Sequence, residues 1–150
     1  ADFHFAATAK NSEVLRREGI CEKQIFLTGN TVVDALHFVL SHSQPSKKIA
    51  DLIEKTKGLR RILLTTHRRE SFGDKMRGNL LELREFVGKQ ADTCLIFPVH
   101  PNPNVRQITN EILADRERVF LLEPLDYIDF TALMKEAWLI TSDSGGVQEE

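Results

Sequence analysis

Short apolar runs alternate with segments of helical period along most of the chain. Arg61-Ile62-Leu63-Leu64-Thr65-Thr66 is free of glycine and proline and reads as a buried strand. Cys94-Leu95-Ile96-Phe97-Pro98-Val99 predicts a second, with Pro98 near its end, where a missing backbone donor matters least. Val119-Phe120-Leu121-Leu122 and Trp138-Leu139-Ile140-Thr141 predict two more. Between them lie stripes at helical spacing: Leu80, Leu81, Leu83, Phe86 and Val87; Val105, Ile108, Ile112 and Leu113; and Phe130, Leu133 and Met134. Strand, helix and strand at intervals of about thirty residues is the pattern of parallel βαβ units with right-handed crossovers. The fold class expected is α/β, with a doubly wound, Rossmann-like parallel sheet.

The first forty residues have a smaller rhythm. Phe3, Phe5 and Ala7 alternate as a strand, Ser12 to Glu18 reads as a helix ending at Gly19, and Ile25 to Thr28 as a further strand. A helix is expected next, from about Thr31 to Ser41, and then Ser43-Gln44-Pro45-Ser46 reads as a linker or turn. A domain junction is expected near Gly29-Asn30. It separates residues 1–29 from residues 30–150.

Composition narrows the function classes. Of 150 residues, 20 are basic and 22 acidic, so no broad basic face is on offer for nucleic acid. No apolar run approaches the ~20 residues that span a bilayer, so no membrane partner is expected. Cys21 and Cys94 have no CxxC spacing, which argues against structural zinc and a disulfide framework and favours the cytoplasm. The chain opens on Ala1 and stops inside an unfinished pattern at Glu150, so it reads as a piece of something longer.

In doubly wound sheets, ligands bind beyond the carboxyl ends of the strands. There the most informative stretch is Ser142-Asp143-Ser144-Gly145-Gly146-Val147-Gln148-Glu149-Glu150. A strand that ends in small residues and then enters a helix exposes backbone N–H groups to which a phosphate can come close. Ser144 or Asp143 equally suits a plain helix cap. Glu149 and Glu150 fit solvated first-turn acids or acceptors for sugar hydroxyls. His67-Arg68-Arg69-Glu70 sets three donors at the same mouth, where arginine matches phosphate and histidine can donate or transfer a proton. A solvated loop with a surface ion pair is the plainer alternative. In His100-Pro101-Asn102-Pro103 two prolines stiffen the loop, and Pro103 suits the first turn of a helix. Phe130 suits core, by its periodicity, or contact with a flat ring. Cys94 reads as core, and His4, His37 and His42 as structural or surface residues.

Taken together, Thr66-His67-Arg68-Arg69-Glu70, His100-Pro101-Asn102-Pro103 and Asp143-Ser144-Gly145-Gly146 through Glu150 resemble the non-hydrolysing UDP-N-acetylglucosamine 2-epimerases. Ala1-Asp2-Phe3-His4-Phe5-Ala6 and Thr28-Gly29-Asn30-Thr31-Val32-Val33-Asp34 fit the same family. The resemblance implies two Rossmann-like domains facing across a cleft, as in the B-type glycosyltransferases. Residues 1–29 would end the first domain, and residues 30–150 would be a truncated UDP-binding second domain. It also implies interconversion of UDP-N-acetylglucosamine (UDP-GlcNAc) and UDP-N-acetylmannosamine (UDP-ManNAc) without a cofactor, by anti elimination of UDP and its re-addition to 2-acetamidoglucal. By resemblance His67 is catalytic, at the sugar–diphosphate junction. Ser144, Gly145 and Gly146 hold the diphosphate, Glu150 the ribose hydroxyls, and Phe130 lies near the uracil. Arg68 and His100 match residues of an effector site for a second UDP-GlcNAc. No metal is implied, and family members are commonly homodimers. Two positions depart from the pattern: Ser71 replaces a usual asparagine and Leu125 a frequent glutamine. The family's acid/base carboxylates belong to the first domain, so this chain is expected to be inactive alone. A hydrolysing relative that releases N-acetylmannosamine, and a non-catalytic UDP-sugar-binding remnant, are the alternatives.

Overall fold

Long apolar runs without glycine or proline become the centre of a parallel sheet, because only there are both faces of a strand covered. The structure, a computed structural model, describes residues 1–66 and 73–150. Strand β3 spans Arg60–Thr65, β4 Thr93–Pro98, β5 Val119–Leu122 and β6 Leu139–Ser142. They form one four-stranded sheet in the order β5-β4-β3-β6, with every neighbouring pair parallel. Helices α4 (Asp74–Lys89), α5 (Pro103–Leu113) and α6 (Tyr127–Lys135) make the crossovers. From β3 the chain steps outward to β4 and β5, then returns past β4 and β3 to reach β6 on the far side. The direction of travel reverses there, so right-handed connections put α6 on the opposite face from α4 and α5.

The packing obeys that rule. Ile62 and Leu64 of β3 join Leu95 and Phe97 of β4 beneath Met76, Leu80 and Val87 of α4 and Val105, Ile112 and Leu113 of α5. Leu63, Cys94 and Ile96 point the other way, against Leu133 and Met134 of α6. The same layer takes Ile49 and Leu52 from helix α3, Lys47–Lys55. Cys94 is a core residue, and burial pushes its thiol above the usual range. The expected doubly wound sheet is thus present, with one switch point, between β3 and β6.

Some local expectations shift. Leu81 and Phe86 lie off the buried line of α4, which runs through Met76, Leu80, Leu83 and Val87, and both are partly exposed. The fourth strand begins at Leu139 rather than Trp138, whose indole stacks on the Arg60 guanidinium instead, 4.6 Å away. No helix was expected over α3, yet Ile49, Leu52 and Ile53 stand at helical spacing there and Ser46 caps the helix by accepting from the Ile49 N–H. Pro103 does open α5, as its fixed φ favours.

Upstream, β1 (His4–Ala6) and β2 (Ile25–Leu27) pair in parallel as a separate two-stranded sheet, joined by helix α1, Ala9–Arg17. Thr8 caps α1 by accepting from Asn11, which starts the helix three residues before the expected Ser12. Phe5 is 69% exposed, because two strands and one helix provide too little cover for both faces. The chain then turns at Gly29, whose φ of +78° favours glycine, into helix α2, Thr31–His42. Among the described residues no helix is long and apolar enough to cross a membrane.

Two buried polar side chains lock helices to this frame. Arg61 donates from Nη2 to the Ile53 carbonyl, from Nε to Thr56 Oγ1 and from Nη1 to the Glu136 carbonyl, so one cation meets the negative ends of α3 and α6. Asp129, in the first turn of α6, accepts from the Ser46 N–H at 2.6 Å and the Ser46 hydroxyl at 2.7 Å. It therefore fixes the turn between α2 and α3. Hydrogen bonds to a charged group contribute roughly 1.5–3 kcal/mol, so Asp129→Ala is expected to lower stability by about 2 kcal/mol. The midpoint of urea unfolding measures this; a midpoint equal to wild type contradicts the clamp.

Candidate functional site

The switch point is where an open α/β sheet forms a crevice, because the loops that leave the two strands there diverge to opposite faces. Thr65 of β3 lies opposite Ser142 of β6, and the Asp143 N–H reaches the Thr65 carbonyl at 3.4 Å. The Thr66 hydroxyl donates to the Asp143 carboxylate at 2.7 Å, tying together the two strand ends. Beside them a cavity of about 320 Å³ opens between β3, β6 and α4, with Thr65, Thr66, Asn79, Thr141, Ser142 and Asp143 on its wall. Asn79 carries no signal in the sequence; it belongs to a helix whose apolar periodicity points only to the core.

Beyond β6 the backbone folds back on itself. The Ser144 N–H donates to Ser142 Oγ at 2.9 Å, and Ser144 Oγ in turn accepts from the Val147 N–H at 3.5 Å. Ser144 thus has the geometry of a helix cap. Residues 145–149 nevertheless form a turn rather than the expected helix, with the Glu149 N–H bonded to the Gly146 carbonyl at 3.0 Å. Gly146 needs its missing side chain for no local reason. A Cβ built there meets nothing closer than Ser144 Oγ at 3.8 Å, and its φ lies outside the left-handed region.

The two acids after this turn part company. Glu149 accepts from the Asn30 amide, whose own oxygen caps α2 by accepting from the Val32 N–H at 3.2 Å. Glu150 accepts from the Tyr127 hydroxyl at 3.1 Å. Burial raises the Tyr127 phenol above its usual range, and the Glu150 carboxylate adds to the shift, so Tyr127 is the donor. Phe130 stands one turn further along α6, half-buried against the layer of Leu63 and Ile96. Leu125, just before α6, packs on the same layer.

Ser144, Gly145, Gly146 and Glu150 therefore share one segment, to which Tyr127 ties the start of α6 and with it Phe130. His100 sits elsewhere, beyond the end of β4 and separated from β6 by β3. Its Nδ1 accepts from the Asn102 N–H at 3.2 Å, which assigns the proton of the neutral ring to Nε2. The Asn102 side chain caps α5. His67 and Arg68 lie outside the described residues. Tyr127 is the contact that sequence reasoning missed. Its signal was a phenol three residues before Phe130, on the same helix face.

A family model described as UDP-N-acetylglucosamine 2-epimerase matches residues 1–150. The UDP-N-acetylglucosamine 2-epimerase of Salmonella typhimurium is 44% identical over 155 residues, an alignment taking in 100% of this chain and 41% of the Salmonella protein. A Listeria monocytogenes structure, provisionally given the same name, superposes with a TM-score of 0.90 at 42% identity, over 100% of this chain and 39% of its own. The enzyme of Neisseria meningitidis, solved with UDP-GlcNAc bound, superposes at 0.84 with 35% identity, over 100% of this chain and 42% of its own. The chain spans about two fifths of the length of the relatives it matches. Its α/β unit is one part of their B-type glycosyltransferase-like architecture. With fold, motif order and sequence in agreement along its whole length, the chain belongs to the UDP-N-acetylglucosamine 2-epimerase family.

Proposed function

We propose that residues 30–150 are the UDP-binding half of a non-hydrolysing UDP-GlcNAc 2-epimerase, and that residues 1–29 end its first domain. Gly146 carries the reading. Its φ lies outside the left-handed region and a Cβ there would meet only Ser144 Oγ at 3.8 Å, so at the end of β6 this turn leaves its backbone open to something that approaches from outside. At a switch point, beside backbone N–H groups, that something is an anion, and a diphosphate suits it.

In this reading Ser144 and the amides of Gly145 and Gly146 hold the diphosphate, Glu150 the ribose hydroxyls, and Phe130 borders the uracil. His67 stabilises the departing UDP as the C1–O bond breaks and a base removes the proton at sugar carbon 2. The product pair is UDP and 2-acetamidoglucal. Protonation of carbon 2 from the other face, with return of UDP to carbon 1, gives UDP-ManNAc. The acid/base carboxylates belong to the first domain, so these 150 residues bind UDP but do not turn over. Arg68 and His100 serve an effector site for a second UDP-GlcNAc. The whole enzyme is a cytoplasmic homodimer.

The test is a product assay on a full-length protein that carries this chain. UDP-ManNAc is expected to accumulate from UDP-GlcNAc without free sugar; release of N-acetylmannosamine and UDP would establish the hydrolysing reaction instead. The chain alone is expected to bind UDP in preference to AMP, and equal binding would refute the uridine site.

A further inference from the structure

If Glu150 receives ribose hydroxyls, as the UDP reading holds, something has to aim it. A glutamate side chain has three rotatable bonds, and ordering it on binding weakens affinity. We propose that Tyr127 is the positioning residue for ribose recognition: its phenol holds Glu150 in place for the 2′,3′-diol and so gives this site its selectivity for ribose. The inference rests on the UDP reading and goes beyond it.

Three observations carry it. First, the Tyr127 hydroxyl donates to Glu150 Oε1 at 3.1 Å, across 23 residues of sequence and between separate elements, so the contact comes from the fold and not from neighbourhood in the chain. One such bond leaves Oε2, and the second lone pair of Oε1, able to accept two further hydroxyls, which is what a vicinal diol presents. Second, the donor is neutral. Lysine or arginine in its place would neutralise the carboxylate and compete for the same oxygens, whereas a phenol orients it and leaves its charge for the ligand. A phenol is protonated at neutral pH, and the upward shift here acts in the same direction.

Third, the phenol stands on a fixed base. Tyr127 is the first residue of α6, directly after the Asp126 cap, whose carboxylate accepts from the Asp129 N–H at 2.8 Å. Asp129 is in turn clamped to Ser46, and Leu133 and Met134 anchor the helix in the core. Phe130 lies three residues on, on the same face. One helix thereby supplies both the wall for the base and the aim of the ribose acceptor.

The test compares UDP with 2′,3′-dideoxy-UDP on a full-length protein carrying this chain. Tyr127→Phe keeps the ring and removes only the donor. It is expected to weaken UDP binding several-fold, up to about tenfold, because the freed Glu150 side chain must then be ordered on binding, and to leave the dideoxy nucleotide unchanged. In Glu150→Gln, adding Tyr127→Phe is expected to have no further effect on UDP, since the two changes remove one device. Equal weakening of both nucleotides by Tyr127→Phe, or full additivity with Glu150→Gln, would make Tyr127 merely structural and overturn the assignment while the UDP reading stands. Failure of the wild type to bind UDP overturns both.

Discussion

Phe97→Ala is expected to lower the stability of the chain by about 3–5 kcal/mol, the usual range for emptying a buried aromatic site. Phe97 is 0% exposed, in the β4 strand that has a neighbour on either side. It packs among Val105, Ile112 and Leu113 of α5 and the apolar residues of β3. Neighbours on a sheet and on a helix anchored at both ends cannot close over the gap, so the lost contacts add to the lost transfer energy. Domains of this size have only about 5–15 kcal/mol in total, so the change takes a large share. Phe86→Ala is the matched control. It removes the same ring from a position 40% exposed on α4 and is expected to cost less than about 1 kcal/mol. Equilibrium urea unfolding of both variants measures the difference. Equal losses would mean that the sheet core is not where the stability resides.

Gly146→Val is expected to weaken UDP binding on the order of a hundredfold and leave folding alone. The Cβ has room and the backbone φ is ordinary, so stability is expected to stay within about 0.5 kcal/mol of wild type. An isopropyl group at that position stands between the turn and any incoming phosphate. Two charge-assisted bonds lost, each worth roughly 1.5 kcal/mol or more, weaken binding on the order of a hundredfold. Calorimetric titration with UDP, paired with thermal unfolding, separates the two quantities. A valine variant that unfolds early would return Gly146 to the fold, and one that binds UDP normally would move the diphosphate elsewhere.

These two positions differ in how they could be foreseen. The two central strands, β3 and β4, were legible because a doubly covered strand has no polar face, and a run such as Ile62-Leu63-Leu64 satisfies that environment. Helix α3 was overlooked although Ile49, Leu52 and Ile53 stand at helical spacing, because the stripe is only three residues long among lysines and acids. In α4, Leu80 and Leu81 look alike in sequence. Only the line through Met76 and Val87 tells which of them faces the sheet. The alternation of Phe3 and Phe5 promised burial, but what buries a strand is set by what lies against it. The small residues of the Ser144 turn announced themselves by composition. Tyr127 and Glu150 did not, because their meeting depends on where the crossover lands α6.

Asn30 also shapes how the polymer folds. Its amide joins Glu149 across 119 residues, closing residues 30–149 into a ring. Closing so long a loop is entropically unfavourable until the strands between have assembled, and one exposed hydrogen bond offsets little of that cost. The Asn30–Glu149 contact therefore depends on the sheet assembled between its two ends. Its order is borrowed from that sheet.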